Sequence, residues 1–496
     1  MPLARRSPAL LGAALAAPLA CDAPAEDADR AAWLQTTLVL DNQVFLEADP
    51  DLAAGKFAKM ALSRHDFFRG TVAHYARDSA QAGSPGYWPT DHLPPAAADI
   101  PLIGDPHLEN VGTYRLADGR LVVDFNDLDA ATYGPDHLDL RRMAVALRVA
   151  GLAFEEAAPA FDEAARARLV RAALSAYVDE LRRLSAARLA PPPLFADAPA
   201  LGPVLTDLVE KAAEDGLARE ELGDYTVVDG GRRGLALGES EPPRRWSAGP
   251  YEQVVHEDAL APIDDDEAWL IDQVLKTYPS TLHDPAAAPA AALALKGAAR
   301  RLGAGVASYP VRRYYALVEG PTPALEDDWL LELKQIYDPL QVPGLVQAPA
   351  RPFADNGERL LFMHRALQCR PDVDPLFGVG SAGDLHFRVR ERTKFQRGLD
   401  LARIAARLAD GRFTAADVEA LAAQVGVLLA RAHARTRTLN GAPTLPALAA
   451  AIADADGLIA ETEAFAAAYA EIVADDHRRL NELMADVGPS LGYARR

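Results

Sequence analysis

Cysteine is nearly missing from this chain. Cys21 and Cys369 are its only two in 496 residues, which excludes a disulfide framework and a cysteine-rich zinc site. Basic residues are also short, with 51 Lys and Arg against 71 Asp and Glu and a formal net charge of −20. Nucleic-acid backbones are held by clustered Lys and Arg, so nucleic acid is excluded as the main partner. No internal apolar run is long enough for a membrane span, and there is no internal repeat. What remains is ordinary globular composition, half apolar and one quarter charged. The chain is long enough for two or more lobes.

The N-terminus stands apart. Met1-Pro-Leu-Ala-Arg5-Arg6 is cationic, Ser7 to Ala20 is apolar, and Leu19-Ala20-Cys21 ends it. A basic region, an apolar region and small residues at the end describe a secretory signal, and the last three residues resemble a lipoprotein box. The expectation is a leader over 1–21 with lipidation at Cys21. The protein is then membrane-anchored or periplasmic if the leader is cleaved, and cytoplasmic otherwise. The alternative is an Ala-rich segment with no targeting role.

Beyond the leader, residues 28–100 carry apolar residues at helical spacing and end in a Pro-rich connector. Helices are expected over 138–154, 164–189, 264–278 and from 398 to the end, and a loop or hairpin insert over 224–246. Strands are expected at 121–125, 311–319, 329–337 and 385–390, where β-branched and aromatic residues gather. The fold class is therefore α+β, with a sheet lobe over 291–397 set against helical segments at 101–290 and 398–496.

The chemistry begins at Gly104-Asp105-Pro-His107-Leu-Glu-Asn110. Phosphoryl transfer needs a carboxylate beside the acceptor hydroxyl and oxygen ligands for magnesium. Kinases place a loop Asp as base, an Asn five residues on as metal ligand, and another Asp after the next strand. Asp105 and Asn110 are five apart, and Asp124 closes a strand fourteen residues beyond Asn110. Each alone is an ordinary turn residue; together they fit a catalytic core.

These segments, with Val122-Val-Asp124-Phe-Asn-Asp127 and Tyr133-Gly-Pro-Asp-His-Leu-Asp139, resemble the catalytic stretch of aminoglycoside and choline-type phosphotransferases. A closer resemblance is to the domain of unknown function 2252 family, itself kinase-like, from Ser63-Arg-His-Asp-Phe-Phe-Arg-Gly70 through Leu428-Leu-Ala-Arg-Ala-His433-Ala-Arg435. The resemblance implies a two-lobed kinase-like fold using ATP and Mg2+. It makes Asp105 the base, Asn110 and Asp124 metal ligands, Asp127 an extra metal contact, Asp139 a brace for the loop, and His107 structural.

A nucleotide lobe needs a glycine loop and a lysine. Gly303-Ala-Gly305-Val-Ala-Ser308 and Lys334 supply candidates, with Glu358 as the acid expected to pair with the lysine. The order is unusual, since the catalytic loop precedes the glycine loop. The helix ending in His433 resembles the one that leads into the catalytic loop in related phosphotransferases. A circular permutation accounts for both, and it predicts that Lys334 and Asp124 share one cleft. Three functions stay open: phosphoryl transfer to a hydroxyl of a small molecule or protein, nucleotidyl transfer at the same site, and nucleotide binding without catalysis.

Overall fold

The computed structural model describes residues 27–493, apart from 93, 160, 200, 216–219, 290, 291, 343, 344 and 346–351. The leader and Cys21 lie outside the described residues. The fold is α+β, as expected, built from a helical part and a seven-stranded antiparallel sheet.

The sheet runs in the order Gly378–Ala382, Leu385–Glu391, Trp329–Gln335, Arg313–Val318, Leu295–Leu302, Asp258–Ala261, Gly238–Glu241. Its last two strands come from before residue 291, so the sheet reaches beyond the segment expected to hold it. Period-two alternation sorts its faces. Tyr314, Ala316, Val318, Leu331, Leu333, Phe387 and Val389 pack on one side against Ile271, Val274 and Tyr278. The helix carrying those residues, Asp265–Thr277, starts on a capping box in which Asp264 accepts from the Glu267 N–H. The opposite face carries Arg313, Glu332, Lys334, Arg388 and Arg390.

The helical part shares one core. His137–Ala157, Glu163–Ala187, Ala415–Ala434 and Ala455–Val487 bury their Leu, Val and Phe residues together with Leu34, Phe57, Phe67 and Phe68 of the N-terminal helices. Gly426 lets two of these helices meet closely, because a Cβ there would strike the Ala173 backbone. Two small β-elements hold the Asp105 loop over this core. Ile100–Leu102 pairs with Thr132–Gly134, and Leu121–Phe125 lies between Val111–Arg115 and Leu194–Phe195. Among the described residues, no helix is long and apolar enough to cross a membrane.

Candidate active site

The loop after Ile100–Leu102 is fixed from two sides. Asp139, in the first turn of His137–Ala157, accepts from the N–H groups of Ile103 at 2.7 Å and Gly104 at 2.9 Å. Its Oδ2 also lies 2.9 Å from His433 Nε2, whose Nδ1 is 3.0 Å from the Tyr177 hydroxyl. The helix that ends near His433 is thus tied to the segment leading into Asp105. Gly104 sits at φ +82°, and a Cβ there would run into the Ala130 backbone, so glycine is required.

Asp105 is held by Arg142, whose Nε donates to Oδ1 at 2.8 Å, while Oδ2 lies 3.5 Å from His107 Nε2. Arg142 is fully buried, lies 3.5 Å from the centre of the Phe68 ring, and donates to the Phe68 carbonyl at 2.8 Å. The Phe67-Phe68 segment thereby supports the Asp105 side chain from behind. Burial pushes His107 down to about 3 against the opposing pull of Asp105, which disfavours charge on its ring. Asn110 donates from Nδ2 to the Asp105 carbonyl at 2.8 Å, which leaves its Oδ1 as the amide atom for a ligand.

Glu109 pairs with residues of the N-terminal helices at the edge of the same site. His65 Nε2 lies 3.0 Å from its carboxylate and Arg69 2.5 Å from it. Burial opposes its charge, yet Arg69 and His65 hold it well below the usual carboxylate range.

Asp124 lies away from the open space. In Leu121–Phe125 it shares a face with Val122, which packs with Cys369 and Val373. Its oxygens accept from the N–H groups of Phe125 at 2.9 Å and Cys369 at 2.7 Å. Burial pushes its pKa up, opposed by Arg435. Past Phe125 the chain turns, and Asp127 and Asp129 point back toward the sheet.

Lys334 meets those two carboxylates. Its Nζ is 3.4 Å from Asp127 Oδ2, across 207 positions of sequence, and pairs more closely with Asp129. Arg388 stands 3.9 Å from Asp127 and 3.8 Å from Asp129. Burial disfavours charge on Asp127, but Lys334 and then Arg388 outweigh it and keep the carboxyl ionised well below its usual range. The lysine therefore does share a cleft with carboxylates of the 121–130 segment, but they are Asp127 and Asp129 in place of Asp124. Asp124 faces away within the strand, and the chain turns after Phe125 to carry Asp127 and Asp129 toward the sheet.

Glu358 does not pair with Lys334. It is exposed in the first turn of Asn356–Leu367, where its N–H donates to Asp355 and its carboxylate accepts from Ala354 at 2.6 Å. That is helix capping. The same helix reaches the site through Arg359, which donates to the carbonyls of Asp129 at 2.9 Å and Ala131 at 2.7 Å.

The glycine segment forms the turn between Leu295–Leu302 and Arg313–Val318. Gly303 and Gly305 have φ of +92° and +76°. Gly303 packs against Glu257 and accepts from Lys59 Nζ at 2.7 Å, outside the open space. Gly305, Val306, Ala307 and Ser308 line it. The resulting cavity, about 370 Å³, also takes in Asp105, Asn110, Asp127, Asp129, Lys334 and Arg388.

Sequence reasoning missed Asp129, Arg142 and the arginines of the sheet face. The alternating arginines of Leu385-His-Phe-Arg388-Val-Arg390 were the one available signal for the last of these. Among the described residues, His74, Asp78 and Asp476 also cluster closely enough for a metal. Arg30 already fills the space between them, 2.8 Å from Asp78 and 3.1 Å from Asp476. Two carboxylates sharing one buried guanidinium are an ion-pair network, and no cation is needed there.

No curated protein and no solved structure matches the chain. Residues 48–483 match the family described as an uncharacterized protein conserved in bacteria, the domain of unknown function 2252 family, and the chain belongs to that family.

Proposed function

We propose that this chain is an ATP- and magnesium-dependent phosphotransferase with a kinase-like, circularly permuted arrangement and Asp105 as its base. One observation carries the reading. Lys334 of the sheet meets Asp127 and Asp129 inside the cavity that also contains Asp105, Asn110 and the 305–308 turn.

The donor set fits the cofactors. Asp127, Asp129 and the Asn110 amide oxygen are hard oxygen ligands of the kind magnesium selects. Magnesium, when bound, neutralises charge on the transferring phosphate. Lys334 and Arg388 are placed to hold phosphate oxygens, and the backbone of the 305–308 turn, opened by Gly305, can approach them closely. Asp105, oriented by Arg142, takes the proton of an acceptor hydroxyl. Asp124, with both oxygens engaged by backbone N–H groups, serves as a tie between strand and Cys369.

The rotated order supports the same reading. Ordinary kinases run glycine loop, lysine, hinge, helix, catalytic loop. Here the turn at 303–308, Lys334, the connection at 392–400 and the helix Ala415–Ala434 follow in that order. His433 then meets Asp139 beside the catalytic loop, although that loop comes first in the chain.

The test is incubation of purified protein with magnesium and γ-labelled ATP against a panel of hydroxyl-bearing small molecules and proteins, read by mass spectrometry. Transfer of phosphate, lost in Asp105→Asn, is the expected result. Transfer of AMP would reassign the site to nucleotidyl transfer. Failure of ATP to bind with magnesium in calorimetry would end the proposal.

A further inference from the structure

A second cavity, about 300 Å³, opens beside the Asp105 loop, and its walls are mostly carbon. One wall is the helix Val72–Ala80. Val72, Tyr75, Ala76 and Ser79 recur at helical spacing, so they share the face that borders the cavity. Another wall is the short strand pair, where Leu102 lies opposite Thr132 and the ladder takes up the backbone polar groups. The Tyr133 ring of that pair is stacked 6.1 Å from Phe353 and lies 6.1 Å from Phe362. Leu138 and Leu340 add to the lining.

An acid and an imidazole also border this space, and neither brings it a free charge. The Asp139 oxygens accept from the Ile103 and Gly104 N–H groups and pair with His433. Burial, with Arg141, pushes His137 down to about 3. A charged ligand would lose its water here without a partner, which is costly. An apolar one gains by leaving water.

The apolar cavity adjoins the charged cavity of the site. Val72 lines both; Gly104 borders the first and Asp105 the second; Leu340 borders the first and Pro339 the second. Lys334 and Arg388 line the charged cavity, and a further space of about 390 Å³ adjoins that one at Arg392 and Gln396. A donor extending from Lys334 toward Arg392 leaves the apolar space, on the Asp105 side, to the acceptor.

We propose that the apolar cavity seats the body of the acceptor, a small molecule with a hydrocarbon part and a primary hydroxyl. The hydroxyl reaches past Val72 to Asp105. There its proton passes to the Asp105 carboxylate and its oxygen bonds the γ-phosphorus of ATP. The bond from that phosphorus to the bridging oxygen breaks, releasing ADP. This inference rests on the phosphotransferase reading and names its acceptor class.

The experiment measures kcat/KM for phosphate transfer from ATP, with magnesium, to straight-chain primary alcohols from ethanol to octanol, with glucose and choline alongside. The value should rise about threefold with each added methylene, and octanol should exceed both polar acceptors. Ala76→Phe, which fills the cavity, should flatten the series. Leu340→Ala, which only trims a wall, should lower the value for octanol about tenfold with the melting temperature little changed. A flat series, a rise that survives both substitutions, or no transfer to alcohols from a chain that binds ATP would overturn this inference and leave the phosphotransferase reading standing. Loss of ATP binding in a folded Ala76→Phe variant would give the cavity to the donor's base and overturn it as well. Transfer to no acceptor, with no binding of ATP, would overturn both.

Discussion

Three aspartates that look alike in sequence have different work in the fold, and substitution should separate them. Asp105→Asn keeps the Arg142 contact and the shape of the loop, so nucleotide binding should survive while turnover falls roughly 10²–10⁴-fold. Asp127→Asn should abolish the magnesium dependence of ATP binding in a thermal-shift titration. Asp124→Asn should lower the melting temperature and leave that dependence intact; the opposite pattern would return the metal to Asp124. A fourth carboxylate sets a pH dependence. Asp136 is 2 % exposed, its Oδ1 has no hydrogen-bond partner, and burial pushes it up to about 6 against the pull of His433. The folded state therefore holds this proton more tightly than the unfolded chain. Stability should fall as pH rises from about 4 to about 6, and above that the buried charge costs on the order of 2–3 kcal/mol. Asp136→Asn should raise the melting temperature at pH 7.5 and change it little at pH 4, and an equal change at both would refute the assignment. The spacing of Asp105 and Asn110 was readable in the sequence because both sit on one short loop. The preference for Asp127 over Asp124 was not, because it depends on where the strand stops and the chain turns.

At the scale of elements, strong patterns translated directly. The expected helix at 164–189 is Glu163–Ala187, and the expected strand at 329–337 is Trp329–Gln335. Leu295–Leu302 escaped notice, since Leu-Lys-Gly-Ala-Ala-Arg-Arg-Leu is rich in helix formers. It is a strand because Asp258–Ala261 and Arg313–Val318 pair with it on both sides, and long-range pairing overrides local preference. The turn that follows it makes a sharper prediction. Gly303, at φ +92°, has no room for a Cβ beside the Glu257 backbone. Gly303→Ala should cost about 1–3 kcal/mol of stability, seen as a lower melting temperature. Gly305, at φ +76°, meets the Ser308 side chain but no backbone, so Gly305→Ala should cost less stability than Gly303→Ala and should also weaken triphosphate binding. Equal stability losses at the two glycines would contradict this division.

The whole molecule closes on itself. Gln35 donates to the Leu491 carbonyl at 3.0 Å, and Tyr493 reaches Glu47 at 3.3 Å, so the two ends of the described chain are neighbours. Cuts at exposed connections disturb little packing, and 283–286 is exposed. A permutant that begins at Asp284, runs to Tyr493 and continues through a short linker into residues 27–283 would put the 303–308 turn and Lys334 ahead of the Asp105 loop, the order the proposed function assigns to an unpermuted chain. It should fold with an unchanged circular dichroism spectrum and bind ATP with magnesium as the native chain does. Loss of folding would show that the native order contributes more than connection. Motif order alone prompts the expectation of a permutation, whereas the cover of Leu222 and Tyr225 on the sheet left no local signal, since nothing nearby in sequence marks what a short segment docks on.

The pairing of Lys334 with Asp127 and Asp129 has a thermodynamic consequence. Under the proposed function, a divalent cation entering the site would compete with Lys334 for the same carboxylates, and the displaced lysine would be left to pair with phosphate. The two binding events are therefore linked, and linkage is reciprocal. The factor by which magnesium tightens triphosphate binding must equal the factor by which triphosphate tightens magnesium binding. In Lys334→Met both factors should shrink together.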